Sequence, residues 1–550
     1  MAWPRRWADG SLTWLAPLAV AGLVMLPRLA SPQFGLLDDG LTLQTGREVI
    51  GHWSTALHLI PETGRFFPAY WLVYSAIFGI VGARPLGFFA VNVALLAGLL
   101  AVLVRVVRWS GGTTWSAAVA VLLFASCGPA IESFYTLSKA EPLQLSWIAV
   151  SLLATAAGAL AASPARRAGL IGLAAGALLL AYATKETSLV LVPISLGWLA
   201  VEWWSIRESG PFRRFAVTYG AINLVAAAAF VVLRAHYAPL ALAEGSYTRA
   251  YTLHLGVIGP ALFRISAWLV RDFAFLLPLL AFAVLSPSGD AASRRLIRYA
   301  GVWMGGWLGV FLPWPATFEY YLLPFALGAA VLAGFVVGDA WIASGRPHPG
   351  TRPWFARAVL AASGVLWLVA IANATADARV QLTVDRANAD LVDFLAGLPA
   401  GSRVVLNTAV NEYVAELPMH LSLIKGRPDI AVEHVTRASR DRSPSADVFV
   451  VTAEVANRPW PTVRVAPDQP LVEGDPATAS ELRTGRPDPV YRAARQARLT
   501  EIGIHRLLCR VAVSPLAEPG YCPGDRGVFD WQVFSYGWRV QSLWTARRDG

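Results

Sequence analysis

Long apolar runs recur along this 550-residue chain as far as about residue 375, with short polar gaps between them, and that pattern admits few folds. A helix needs about 20 apolar residues to cross about 30 Å of hydrocarbon. The windows at about 12–29, 85–107, 115–131, 143–162, 168–184, 187–204, 215–233, 272–287, 297–314, 320–343 and 357–375 give about eleven spans. With 55% hydrophobic and 15% charged residues, the chain is too apolar for a soluble multidomain protein. It reads as a polytopic α-helical membrane protein.

The gaps carry the topology. Arg105 with Arg108, Arg166 with Arg167, Arg207 with Arg213 and Arg214, Arg294 with Arg295 and Arg298, and Arg346 with Arg352 and Arg357 all fall on the side of Arg5 and Arg6, provided Phe67–Val81 does not cross. The positive-inside rule therefore predicts a cytoplasmic N-terminus, an interfacial or re-entrant Phe67–Val81, and an outer C-terminus. The net charge of +10 is thereby assigned to topology, and no nucleic acid partner is expected. No cleavable signal peptide is apparent. The segment from Thr252 to Leu285 reads as an interfacial helix followed by a span. Arg264, Trp268 and Arg271 share one helical face there, and snorkelling at the headgroups is favoured over anion binding.

Past about Ala376 the chain turns charged and Pro-rich. Two domains follow: residues 1–375 in the membrane, with a first outer loop over about 31–84, and residues 376–550 as a soluble α/β domain. In the latter, Asp385–Leu398 and Asn411–Leu423 are expected as helices, and Ser402–Leu406 and Val448–Thr452 as strands. The aromatic end FDWQVFSYGWRV suits core filling better than sugar stacking. Three cysteines show no metal spacing, and Cys509 and Cys522 could pair only in an oxidising compartment.

The first outer loop holds an acidic pair, Asp38 and Asp39, directly after the first span. Ionisable groups at a membrane boundary are functional candidates by default, while the bland alternative makes them helix caps and Asp39-Gly40 a turn. Of 46 basic residues only three are lysines, and two of them, Lys139 and Lys185, sit at predicted outer helix ends beside Glu132, Glu141 and Glu186. Arg65 heads the interfacial segment, and Arg249, Glu319 and Tyr320 lie in later outer loops. Lysine holds phosphate as a point charge, and a carboxylate within reach of a hydroxyl can take its proton. Gathered at one surface, such groups suit a reaction between a lipid-borne phosphate compound and a partner from the water. A transporter would place them nearer the midplane.

The acidic pair after the first span, the segment GRFFPAY, the stretch SKAEPLQL, the KE pair and the late EYYLLPF resemble, in that order, GT-C class glycosyltransferases of the protein O-mannosyltransferase and aminoarabinose transferase kind. The resemblance covers about residues 1–375 and implies a GT-C-like fold. It implies a polyprenyl-phosphate sugar as donor and transfer, usually with inversion, to an extracytoplasmic acceptor. It also implies a first-loop aspartate as catalytic base, with Asp39 slightly preferred over Asp38. Lys139, Lys185, Arg249 and Arg264 become candidates for the donor phosphate, and Glu132, Glu141, Glu186, Glu319, Tyr320 and Arg65 for substrate contact. Some relatives bind a divalent ion near these loops, but no local motif here requires one. Protein mannosyltransferases have Asp-Glu where this chain has Asp-Asp, which leaves the sugar open. The Arg-dominated, Ala-rich usage points to a bacterial inner membrane. A lipid-linked-sugar flippase and a non-catalytic protein presenting its C-terminal domain are the alternatives. The first needs polar residues through the bilayer, and the second leaves the acidic and lysine clusters unexplained.

Overall fold

A computed structural model describes residues 12–36, 38–57, 65–204, 210–237, 251–286, 291–314, 318–345, 352–407 and 411–434, and the backbone of 448–452, 464–466, 469–470, 480–481 and 543–547. The N-terminal part is a helical bundle. It begins with α1 (Leu12–Ala30), followed by the loop helix α2 (Asp39–Gly51), the short α3 (Pro68–Val81) and the long α4 (Pro85–Trp109). Next come α5 (Thr114–Ala125), α6 (Gly128–Tyr135), α7 (Glu141–Leu160), α8 (Pro164–Thr184), α9 (Leu191–Trp204) and α10 (Pro211–Tyr237). The bundle closes with α11 (Leu255–Phe273), α12 (Leu276–Leu285), α13 (Ala291–Phe311), α14 (Leu323–Gly345) and α15 (Pro353–Ala396).

Among the described residues seven helices are long and apolar enough to cross a bilayer, and nine spans result if the bent pairs α5–α6 (58°) and α11–α12 (84°) each count as one. The expected eleven further includes α1 and α13. The 14 residues of α3 are too few to cross upright, which suits the interfacial expectation for this segment. Proline opens α3, α4, α6, α7 and α8, where its missing N–H costs nothing.

The bundle is built around α14, whose membrane window is 94% buried. Lipid offers no hydrophobic drive between helices, so close packing of small residues must hold them. Glycines let the backbones meet: a Cβ on Gly334 would lie 2.5 Å from the Ser116 carbonyl of α5, and one on Gly328 would lie 2.6 Å from the Trp303 indole of α13. A second layer is aromatic, with Trp198 stacked on Tyr299 at 5.1 Å and near-parallel to Trp303 at 6.1 Å.

Ala376, where the composition shifts, lies inside a helix. The stretches expected as a span and as a separate helix are one element, the 44-residue α15. Beyond it follow β1 (Arg403–Asn407), α16 (Asn411–Leu423), β2 (Ala431–His434), β3 (Val448–Thr452), β4 (Arg464–Ala466), β5 (Gln469–Pro470), β6 (Ser480–Glu481) and β7 (Leu543–Arg547). One sheet has the order β2-β1-β3-β7-β6, with β1 parallel to β2 and β3, and β7 antiparallel to β3 and β6. Leu391, Leu395, Val404, Leu406, Tyr413, Leu417 and Leu421 form a core between α15, β1 and α16 that also takes in Leu36 of the first loop.

Candidate functional site

At one end of the bundle the first loop, α2, α6, the start of α7, the α8–α9 junction and the turn before α14 come together. Asp38 is the N-cap residue of α2 and the only described non-glycine with positive φ, at 67°. Left-handed backbone costs an ordinary residue about 1–2 kcal/mol, and such strain concentrates at functional sites. Its side chain is half-buried and makes no capping hydrogen bond, so the reading of this pair as helix caps fails.

Asp39 is different. It is 2% exposed, and its Oδ2 accepts from the Gly35 N–H at 2.8 Å. Burial pushes its carboxyl well above the ordinary value; the nearby Asp385 and Glu416 carboxylates add to this, against the Gly35 bond and Arg28. Asp39 is thus part of a buried network. In it Asp385 receives Arg28 at 2.6 Å and Gln381 at 3.0 Å, while the Arg28 guanidinium rests on the Phe89 ring at 4.1 Å.

Two tyrosines stand beside the acidic pair. The Tyr70 hydroxyl meets that of Thr42 at 3.2 Å, and Tyr70 packs on Tyr74 with centroids 4.5 Å apart. The Tyr74 hydroxyl donates to the Leu137 carbonyl at 2.8 Å, two residues before Lys139, so the packed tyrosines link α2 to the stretch that carries that lysine.

The lysine cluster gathers nearly all the other candidates. Lys185, at the end of α8, pairs with Glu141 at the start of α7. Lys139 lies over the Tyr320 ring at 4.3 Å, and Lys185 over Tyr321 at 4.4 Å. Both lysines are buried. Burial lowers the Lys185 ammonium to about 8; Glu141 opposes this, and the like charges of Arg65 and Lys139 reinforce it. Two ammoniums thus stand on aromatic faces in a low dielectric, one of them already paired with Glu141. Arg65 stacks on Phe67 at 4.3 Å. Glu186 accepts from the Phe66 N–H at 2.7 Å and faces Arg234 at 3.7 Å, which marks it as a brace for the loop. Glu132 lies near enough to Lys139 and Arg271 to feel both.

Glu319 pairs with Arg271, which also meets Asp272 at 3.0 Å and Asp377 at 2.8 Å. This ties α11 and α15 to the tyrosine turn. Arg264, Trp268 and Arg271 are 6%, 0% and 3% exposed. The shared face expected of them therefore packs inward, and the snorkelling reading is overturned. Arg249 lies outside the described residues, as do Cys509, Cys522 and the aromatic end at 529–540.

Sequence reasoning left out Arg28, Asp385, Glu416 and His420. Arg28 had a signal: an arginine at the end of the first span opposite to Arg5 and Arg6 defies the charge rule and needs a partner. Among the described residues no three metal-ligating side chains converge.

No family model matches the chain, and no curated protein matches it. Among solved structures, ArnT from Cupriavidus metallidurans in the apo state aligns with TM-score 0.50 and 16% identity over 82% of this chain and 95% of that one. The same protein bound to undecaprenyl phosphate aligns with TM-score 0.49 and 15% identity over 82% and 96%. The oligosaccharyltransferase of Archaeoglobus fulgidus aligns with TM-score 0.47 and 11% identity over 80% and 70%. These neighbours are GT-C glycosyltransferases, and the apo ArnT likeness shows that the chain shares their fold.

Proposed function

We propose that this chain is a membrane glycosyltransferase that moves a sugar from a polyprenyl-phosphate donor to an extracytoplasmic acceptor. One observation carries the reading: a buried pair of lysines on tyrosine faces is linked through Tyr74 and Tyr70 to the helix that begins at the acidic pair, at the same end of the bundle. A phosphate at the lysines and a hydroxyl at the aspartates would meet near the tyrosines. That a structural neighbour is bound to undecaprenyl phosphate supports the donor class.

Asp38 is the preferred base. Asp39 is 2% exposed, whereas Asp38 is only half-buried and sits in strained left-handed backbone. An acceptor hydroxyl gives its proton to Asp38 as its oxygen attacks the anomeric carbon, and the bond from that carbon to the phosphate oxygen breaks. The leaving polyprenyl phosphate takes that electron pair, and Lys139 and Lys185 stabilise the charge. Direct attack inverts the anomeric configuration. In this reading the α2 end faces the outside of a bacterial inner membrane, with the N-terminus cytoplasmic and residues 376–550 forming an outer α/β domain. The basic clusters on the opposite side support that orientation.

The test is sugar transfer by purified protein in lipid from a panel of polyprenyl-phosphate sugars, comparing wild type, Asp38→Asn and Asp39→Asn at matched thermal stability. Loss of about 10²–10⁴-fold in Asp38→Asn, as general-base removal costs, is expected. Donor binding by wild type without transfer would favour a flippase, and no binding a non-catalytic role.

A further inference from the structure

The N-terminus of α2 is capped from far away in the chain. Gly40 and Leu41 are its second and third residues, whose N–H groups lack intrahelical acceptors and are ordinarily met by the N-cap side chain. Here Glu416 of α16 meets them. Its Oε2 accepts from the Gly40 N–H at 2.5 Å and its Oε1 from the Leu41 N–H at 2.9 Å, across 376 and 375 residues. Glu416 is 2% exposed, and His420 Nε2 lies 3.5 Å from Oε2.

Gly40 permits the contact. A Cβ there would lie 2.7 Å from Glu416 Oε2, 2.9 Å from the His420 ring and 3.1 Å from Met419. So the Asp39-Gly40 pair, which resembles a turn in the sequence, is the first turn of a helix into which a distant carboxylate fits. The negative fork also sits where the helix dipole favours it.

We propose that Glu416 is a positioning residue of the transfer reaction: by capping α2 in place of Asp38, it holds Asp38 in its left-handed conformation with the carboxylate turned to the acceptor. The inference rests on the function proposed above. It makes the segment beyond α15 part of the catalytic unit. Removing the fork leaves two helix-terminal donors unmet, and the simplest repair is for Asp38 to turn back and cap its own helix. The base is then lost without any change at the lysines.

Full-length protein in lipid bilayers provides the test, as wild type, Glu416→Gln, Glu416→Ala and Leu421→Ala. Leu421 is fully buried in the same α16 core, while both α2 amides bond to Glu416, so truncating Leu421 controls for general loosening. Two quantities are read: amide exchange over residues 38–43, and kcat and donor KM separately. In Glu416→Ala, exchange at the start of α2 should quicken by about tenfold or more. Its kcat should fall by about 10²-fold, as a displaced catalytic group costs, with donor KM within about twofold. Glu416→Gln, which keeps one acceptor oxygen, should fall between, and carries the test alone if the alanine variant does not fold. Leu421→Ala should lower the melting temperature without either effect. Unchanged exchange in the Glu416 variants overturns the cap whatever the activity. Quickened exchange with unchanged kcat, or a kcat loss equal to that of Leu421→Ala at matched stability, overturns the positioning role. A wild type that transfers no sugar overturns the proposed function, while the exchange data still judge the cap.

Discussion

Arg28 and Asp385 meet at 2.6 Å although 357 residues separate them. Each side chain is 1% exposed, so neither charge has water to fall back on. The pair joins the end of α1 to α15 close to the first loop, where a Cβ on Gly35 would lie 3.0 Å from Asp385 Oδ1. Removing one partner of such a pair strands the other and costs about 3–5 kcal/mol, whereas replacing both with apolar groups is often near neutral. Arg28→Met and Asp385→Leu should each lower the melting temperature strongly, and the double variant should recover much of the loss. A thermal-unfolding double-mutant cycle checks this; additive losses would count against the pair.

Asp39 should make the fold less stable as pH rises. Its folded carboxyl is pushed above the ordinary value near 3.8 by burial, then by Asp385. Below that value both states are protonated and nothing is lost. Above it the unfolded chain ionises first, so stability falls until the folded carboxyl also ionises. Asp39→Asn keeps an acceptor for Gly35 and removes the ionisation. Its melting temperature at neutral pH should equal or exceed that of wild type, with a flatter pH profile, and a marked drop would refute this.

Donor use should weaken as pH climbs past about 8. There Lys185, lowered by burial, gives up its proton in the free protein. The profile of kcat/KM against pH reports free-enzyme groups, so its basic limb should bend near that value. Lys185→Arg, which stays charged, should straighten the limb. Lys185→Met should lower kcat/KM about 10- to 100-fold below pH 8, the worth of a charged hydrogen bond.

Gly128→Ala should damage the tyrosine turn. The added Cβ would fall on Glu319 and lie 2.6 Å from Arg271 Nη2 and 3.0 Å from Asp272 Oδ1. Overpacking of this kind costs about 1–3 kcal/mol, and here it also pries apart an ion pair. A lower melting temperature together with weaker donor binding is expected. Unchanged stability would mean that the Arg271–Glu319 contact is looser than it stands.

Much of this was legible without coordinates, for identifiable reasons. Crossing a bilayer demands a fixed length of apolar chain, so α4, α7, α8, α9, α10 and α14 announce themselves. Lys139, Lys185, Glu141 and Tyr320 could be singled out because rare residue types stand at helix ends. The different settings of Asp38 and Asp39 could not be read, because the backbone twist at Asp38 has no local signature and the carboxylate that meets the Gly40 N–H lies 376 residues on. Arg264 misled for the opposite reason: a stripe of arginine and tryptophan looks the same whether it faces headgroups or, as found, the protein interior.

At 1.5 Å per residue, the 44 residues of α15 make a rod about 66 Å long. A rod that leaves the bundle without a joint works as a gauge: whatever docks on the sheet beyond it is presented at a set height and bearing over the acidic loop. Screw symmetry makes that bearing unforgiving. One extra residue in the rod would turn the far end by about 100° and lift it about 1.5 Å, carrying Glu416 off the start of α2 while leaving every membrane contact below the insertion in place.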